Sequence, residues 1–200
     1  MKSLLDDPKS CAYAGLALSA LLILVWLAVG GTDRLSLVSF IIRVTHILAA
    51  MVWVGLVFFV NFVQLAAMRD AGDNDKAFMF KSVIPNVFWW VRHASTVTVA
   101  SGILLLIAAG YLLPSIVYGS GVYVAPARAT LLWLGVLAAL AMWMFVNMYI
   151  WPALRIVLGI NPGDAAAKSA ASARVKTYAR LNLILALPVT VAMVAAAHLY

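Results

Sequence analysis

The sequence predicts an all-α, polytopic membrane protein, a bundle of five transmembrane helices. Of the 200 residues, 66% are hydrophobic and only 10% are charged, whereas about a quarter of the residues in a soluble domain are charged. A membrane-spanning helix needs about 20 mostly apolar residues. We therefore expect a single membrane domain over residues 1–200, with spans at roughly 11–30, 36–67, 83–113, 129–158 and 178–199.

The spans differ in length and in what flanks them. The first follows a short polar N-terminus and is longer than the apolar region of a signal peptide, so we expect a retained anchor, with a cleaved signal as the alternative. The next three are each about 30 residues, or ~45 Å of helix, which exceeds a hydrocarbon layer of ~30 Å. We expect these helices to tilt or to extend past the membrane surface. Pro188 predicts a kink in the fifth span.

Lysine and arginine near the ends of the spans indicate the orientation. One side of the membrane receives only Arg34 and Arg128 in its linkers. The positive-inside rule then predicts that the N-terminus lies in the cytoplasm and the C-terminus outside. The basic residues assigned to the cytoplasmic side are Lys2, Lys9, Arg69, Lys76, Lys81, Arg155, Lys168, Arg174, Lys176 and Arg180.

Acidic residues are confined to the termini and the predicted linkers. There is no glutamate, so no predicted span contains a carboxylate, which argues against proton pumps and cation-coupled transporters. The sequence contains no HExxH motif, no phosphate-binding loop and no Ser-His-Asp order with an available acid. The residues that usually catalyse hydrolysis or bind a nucleoside triphosphate are therefore absent. The single Cys11 excludes an intrachain disulfide and a CxxC motif. The acidic residues are Asp6, Asp7, Asp33, Asp70, Asp73, Asp75 and Asp164.

The few polar residues within the spans recur at helical spacing. At 100° per residue, His46 shares one face of the second span with Trp53, Asn61 and Gln64, and Arg43 lies one turn outward. On the third span, Asn86, Trp89, Trp90 and Thr96 collect around His93, with Arg92 to the side. The fourth span offers Met144, Asn147, Met148 and Trp151; the fifth offers Arg180, Asn182 and His198.

Two arginines within spans have no membrane carboxylate to pair with. Each must reach lipid headgroups, bond backbone carbonyls or meet an anion from outside the chain. For Arg92 we give snorkelling to the headgroups the same weight as the other two arrangements together. For Arg43, one turn from His46, we expect a bound anionic cofactor. Heme has two propionates, an apolar macrocycle and an iron that takes histidine, although an intramembrane histidine such as His46 is also compatible with simple packing.

The segment RVTHILAAMVWVGLVFFVNFVQ, residues 43–64, resembles a signature of the membrane domain of bacterial membrane-anchored urate oxidases. Three further segments agree in order: WWVRHASTVTVASGILLL, MWMFVNMYIWPALRIVLG and ARLNLILALPVTVAMVAAAHLY. The resemblance covers about residues 38–200. It extends more distantly to the bacterial protoporphyrinogen oxidase type of membrane protein, which is associated with heme b.

This resemblance implies a helical, multi-pass domain of a bacterial inner membrane that works with a c-type cytochrome. The sequence contains no cytochrome segment, so we expect any such partner to be a separate polypeptide. It implies His46 with His198 as iron ligands, and His93 is the alternative partner. We expect cofactor contacts from Arg43, Trp53, Asn61, Arg92, Asn147 and Arg180. The positions that match the family pattern are Arg43, His46, Trp53, Asn61, Gln64, Asn147, Trp151, Pro152, Arg180, Asn182 and His198.

Three functional hypotheses follow. The first is a protein that binds heme b and passes electrons between a membrane donor, such as a quinol, and a c-type cytochrome. The second is a heme-free accessory subunit that packs within a larger membrane complex, homo- or hetero-oligomeric, through small residues such as Gly55, Gly102 and Gly135. The third is an oxidase of a small purine-like substrate, although histidine is the only general base in the spans. A transporter or channel is disfavoured because no inverted repeat is visible.

Overall fold

The computed structural model describes residues 6–30, 33–116 and 124–199 and contains only helices and turns over these ranges. Five of its helices are long and apolar enough to cross a membrane. The predicted all-helical class is confirmed, and so is the predicted number of helices of spanning length. We name these helices α1 Pro8–Gly30, α2 Ser36–Asp70, α3 Asp73–Ala108, α4 Pro126–Val157 and α5 Ala165–His198. The helix that carries α2 begins at Arg34.

Two helices begin ten or more residues earlier than the hydropathy pattern predicts. α3 begins at Asp73 rather than near residue 83, because only Ala71 and Gly72 break the helical backbone after α2. α5 begins at Ala165 rather than near residue 178. Its first turns are rich in alanine, the best helix former. They also contain lysine, serine and arginine, so their hydropathy is too low to predict a membrane span. The predicted inner linkers are therefore mostly helix.

Aspartates at the starts of three helices satisfy free backbone N–H groups. The side chain of Asp7 accepts hydrogen bonds from the Ser10 hydroxyl at 2.8 Å and the Ser10 N–H at 3.2 Å, and these contacts, led by the hydroxyl, hold the pKa of Asp7 below its ordinary value. Asp33 caps the helix that carries α2, and Asp164 accepts from the Ala167 N–H at 2.7 Å. These carboxylates stabilise helix N-termini, which accounts for their positions outside the spans.

Three helices contain a π-helical segment that the sequence analysis does not predict. The segments are Phe59–Gln64 in α2, Met79–Val83 in α3 and Phe145–Ile150 in α4. A π turn holds an extra residue and is frequent at functional sites. Asn61, Gln64 and Asn147 all lie in these segments.

The contacts between residues divide the chain into two units, residues 1–40 and 41–200. In the first, Trp26 packs against Phe40 with ring centroids 5.3 Å apart, and α1 has no buried residue. In the second, α5 packs along α4, and a Cβ atom at Gly135 would lie 3.0 Å from Cε of Met193 and 3.4 Å from Cβ of Ala192. The core of this second unit is formed by Trp53, Val57, Val60, Ile84, Phe88, Val91, Ala94, Met142, Val146, Ile150, Leu154, Ala179 and Ala186.

We expect Ala186→Leu to destabilise the second unit by about 1–3 kcal/mol, because Ala186 is 0% exposed and a larger side chain must displace its neighbours. The control is Ala197→Leu, at an exposed position of the same helix, which should change the free energy of unfolding by less than about 0.5 kcal/mol. Denaturation in detergent micelles, followed by circular dichroism, measures both. Equal effects of the two substitutions would contradict this packing.

Candidate functional site

The polar stripe predicted on α2 faces the interior along most of its length. Trp53, Asn61 and Gln64 are 2%, 5% and 3% exposed, respectively. His46 is half-buried, and Arg43, one turn further out, is exposed. The sequence therefore identified the inward face of α2, with Arg43 beyond its buried part.

His46 bridges α2 and α3 through a hydrogen bond to the backbone. Its Nδ1 lies 2.9 Å from the carbonyl oxygen of Thr98 and 3.3 Å from the hydroxyl of Ser101. A carbonyl oxygen only accepts, so Nδ1 carries the proton and donates it. Nε2 is then a free acceptor, with no hydrogen-bond partner among the described residues. A histidine that ligates a metal characteristically donates its other ring N–H to a carbonyl in this way.

Gly102 makes the close approach of His46 to α3 possible. A Cβ atom at this position would lie 2.9 Å from Cε1 of His46 and 3.2 Å from Nδ1. Three small hydroxyl residues on the same side of α3, Ser95, Thr98 and Ser101, are buried as well. The sequence indicated Gly102 as a site of close helix contact. The buried face that carries the three hydroxyl residues was not predicted, although their three-residue spacing indicates one side of a helix.

The other two histidines occupy separate surroundings. Nδ1 of His93 bonds the Trp89 carbonyl of its own helix at 2.7 Å, and the His93 ring stacks on Trp89 at 4.1 Å between centroids. This face of α3 is exposed, since His93, Trp89, Trp90 and Thr96 all lie on the surface of the second unit. His198 is also exposed, at the end of α5. Over the described ranges, no group of three or more histidine, cysteine or acidic side chains is placed to hold a metal ion.

Arg92 has partners within the chain. Its Nε lies 3.4 Å from the Asn147 side-chain oxygen, and its guanidinium sits 4.4 Å from the centroid of the Trp151 ring. Beside it, the Trp143 indole donates to the Thr96 hydroxyl at 3.1 Å. An aromatic face and an amide oxygen thus stabilise the charge without a carboxylate. For Arg43, the described residues provide no hydrogen bond or ion pair.

Buried amides without full hydrogen bonding mark the centre of the second unit. The Asn61 amide nitrogen donates to the carbonyls of Val57 and Ala179 at 2.8 and 3.3 Å, which fixes its orientation and leaves Oδ1 without a donor. Both polar side-chain atoms of Asn182, which is 1% exposed, lack a partner. A cavity of about 20 Å³ between Asn61 and Asn182 is large enough for one water molecule.

A larger cavity of about 430 Å³ begins at Asn61 and extends toward the end of α2. Gln64 lines it, and its buried Oε1 has no hydrogen-bond donor. Three basic residues also line this cavity: Arg69, Lys176 and Arg180. Asn61 follows His46 by 15 residues, or about 22 Å along a helix. Because Arg180 lines the same cavity as Asn61, Arg180 and His46 belong to different regions.

Comparisons with known proteins add no identification. The chain matches no family model, no curated protein and no solved structure. The likeness to the urate oxidase membrane domain thus remains a resemblance carried by the four sequence segments.

The predicted site residues therefore divide into three groups. Arg43 and His46 offer a cation and an imidazole with a free nitrogen. Arg92 and Asn147 are bonded to each other beside Trp151. Asn61 and Arg180 line the larger cavity, while Trp53 is buried with its indole N–H unpartnered.

We expect Gly102→Ala to cost about 1–3 kcal/mol of the free energy of unfolding, because the added methyl overlaps the His46 ring. Gly55→Ala is the matched control: no atom lies within 4 Å of its Cβ position, and alanine in an open helical site is more favourable by about 0.5–1 kcal/mol. Denaturation in micelles compares the two. If Gly102→Ala were as harmless as Gly55→Ala, the close contact with His46 would be refuted.

The contact between Arg92 and Trp151 is testable by a double-mutant cycle with Arg92→Met and Trp151→Leu. We expect a coupling energy of about 0.5–2 kcal/mol, because the charge sits over the ring. The control cycle replaces Arg92→Met with Arg43→Met and should give a coupling near zero. A coupling of equal size in both cycles would contradict a specific contact.

Proposed function

We propose that this chain binds heme b through His46 and passes electrons between a quinol-like donor in the membrane and a separate c-type cytochrome. The supporting observation is the hydrogen bond from His46 Nδ1 to the Thr98 carbonyl, at 2.9 Å, which leaves Nε2 available as a ligand. The choice of a c-type cytochrome as electron acceptor rests on the sequence resemblance alone, and the quinol-like donor is part of the proposal.

His46 would supply one imidazole ligand to such a group. The Thr98 carbonyl fixes the ring orientation, while Gly102 allows the ring to lie against α3. Arg43 is exposed one turn away and supplies a positive charge suited to a propionate. A bound heme would supply reversible one-electron transfer; the protein's part is to hold the imidazole, balance charge and exclude water.

Fewer residues lie near His46 than the sequence predicts as contacts of the cofactor. Asn61 and Arg180 lie at the larger cavity, about 22 Å along α2 from His46, and Arg92 is bonded to Asn147. Neither His93 nor His198 is among the contacts of His46. The heme proposal therefore rests on Arg43 and His46, with no second histidine ligand assigned.

We further propose a bacterial inner membrane, with the N-terminus in the cytoplasm and the C-terminus outside. Support comes from the distribution of charge along the observed helices. If every helix crosses, the ends of α2 and α4 and the starts of α3 and α5 share one side, and the basic residues concentrate there. These are Arg69, Lys76, Lys81, Arg155, Lys168, Arg174, Lys176 and Arg180.

A reduced-minus-oxidised absorption spectrum of the purified protein tests heme binding. We expect a Soret band and a reduced α-band in the wild type, and loss of both in His46→Ala. The matched controls His93→Ala and His198→Ala remove exposed histidines and should keep the bands.

Added imidazole should restore heme to His46→Ala, because a small ligand can take the place of the side chain; a variant that merely misfolds would not respond. A wild type without a Soret band would overturn the proposal in favour of a heme-free accessory subunit. Unchanged heme content in His46→Ala would remove this residue from the site.

A further inference from the structure

The larger cavity, which we call the basic cavity, has the composition of a ligand site. Its volume of about 430 Å³ lies within the range of about 300–1,000 Å³ that is typical of sites for small organic molecules. All four helices of the second unit contribute to its wall. Its apolar surface comes from Val60, Leu65, Ala66, Met68, Phe80, Ile84, Phe88, Leu154, Val157, Val175 and Ala179.

The charged lining of the basic cavity is entirely positive. Arg69, Lys176 and Arg180 line it, and none of the carboxylates among the described residues does. The ion pair between Arg69 and Asp70 is 4.0 Å long, with both side chains more than three-quarters exposed, so it neutralises little of this charge. All three cations are exposed and lie where the cavity opens to the surface. Without a carboxylate beside them in the lining, they favour an anionic group at this opening.

Uncharged polar groups inside the basic cavity require a hydrogen-bond donor. Gln64 is 3% exposed, and its Oε1 is buried without a partner. Asn61 is 5% exposed, and its Oδ1 is likewise unpartnered, while its nitrogen is committed to two carbonyls. Leaving a buried acceptor unsatisfied is costly. Both oxygens are sealed from open space in this conformation, so a hydroxyl or N–H on a bound molecule would satisfy them once the amide side chains rotate toward the cavity.

The polar groups are arranged in order of depth along α2. Arg69 lies one to two turns beyond Gln64, and Asn61 lies about one turn on the other side of Gln64. A ligand that satisfies all three would carry its anionic group near Arg69, Lys176 and Arg180, and a hydroxyl or N–H toward Gln64 and Asn61. Its body would be apolar.

We propose that the basic cavity binds an amphiphilic anion, with a phosphate or carboxylate at its basic end and a hydrogen-bond donor at Gln64 and Asn61. Two sources share this chemistry: an anionic lipid with a hydroxylated headgroup, and a free hydroxylated carboxylate. The inference uses none of the residues that carry heme binding, so either proposal can fail while the other stands.

Thermal unfolding and native mass spectrometry of the delipidated protein in a neutral detergent test this inference. The lipid probe is dioctanoyl phosphatidylglycerol, with dioctanoyl phosphatidylcholine as its zwitterionic control. The free-acid probe is 4-hydroxybenzoate, with its neutral methyl ester as control. We expect at least one anionic probe to raise the melting temperature and to bind at one copy per chain, while its control does not.

Binding of the lipid alone would assign the site to a lipid, and binding of the free acid alone would assign it to a small carboxylate; both outcomes support an amphiphilic anion. The inference is overturned if neither anion binds, or if the anions bind no better than their controls.

Variants locate the binding site. Arg180→Gln and Lys176→Gln should each weaken binding of the active probe about tenfold, the effect of one charge-assisted hydrogen bond. Lys168→Gln is the matched control, because this exposed residue of α5 lies outside the lining, and it should leave binding unchanged. Equal weakening in all three variants would indicate a general charge effect and refute the site.

Gln64→Leu separates a ligand contact from a structural role. Removing an unpartnered buried amide should raise the melting temperature of the ligand-free protein, and it should also weaken binding of the probe. A purely structural glutamine would give the opposite pattern, with a lower melting temperature and unchanged affinity, and that result would overturn the role assigned to Gln64.

Discussion

The structure depends on one constraint: a polar side chain within an apolar helical domain must find its partner in that domain, because lipid offers none. The spans solve this without carboxylates. His46 bonds a carbonyl and Arg92 meets an amide oxygen and an indole face. The aspartates serve at helix starts. Buried polar groups that lack a partner among the described residues, such as Gln64 and Asn182, therefore indicate where a ligand or a water molecule could bind.

The sequence predicted the features that depend on hydrophobic periodicity. The five helices follow from the lengths of the apolar runs, and the inward stripe from Trp53 to Gln64 follows from the spacing of polar residues. A polar face is costly in contact with lipid, so it turns toward the other helices. The early start of α5 was missed because alanine-rich helix before Val175 is only weakly apolar. Apolarity and helical propensity are different properties, and a hydropathy window measures the first.

The candidate site was only partly predictable. Helical spacing groups residues on one helix but does not tell which face meets another helix. The polar set around His93 was therefore grouped correctly, yet it lies on the exposed face of α3. Contacts between helices, such as Arg92 with Asn147 or His46 with Thr98, depend on rotation and depth, which no single helix specifies. The basic cavity draws on four helices and had no sequence signal beyond its scattered cations.

The π-helical segment Phe59–Gln64 gives α2 a further property. In a regular α-helix, every side chain keeps a fixed angular relation to every other. An extra residue in one turn shifts that relation by about 100° for everything beyond it. The half of α2 that carries His46 and the half beyond Gln64 therefore keep a fixed angular relation that differs from that of a regular helix. One continuous helix can thus present His46 to α3 and, beyond the π segment, Leu65, Met68 and Arg69 to the basic cavity.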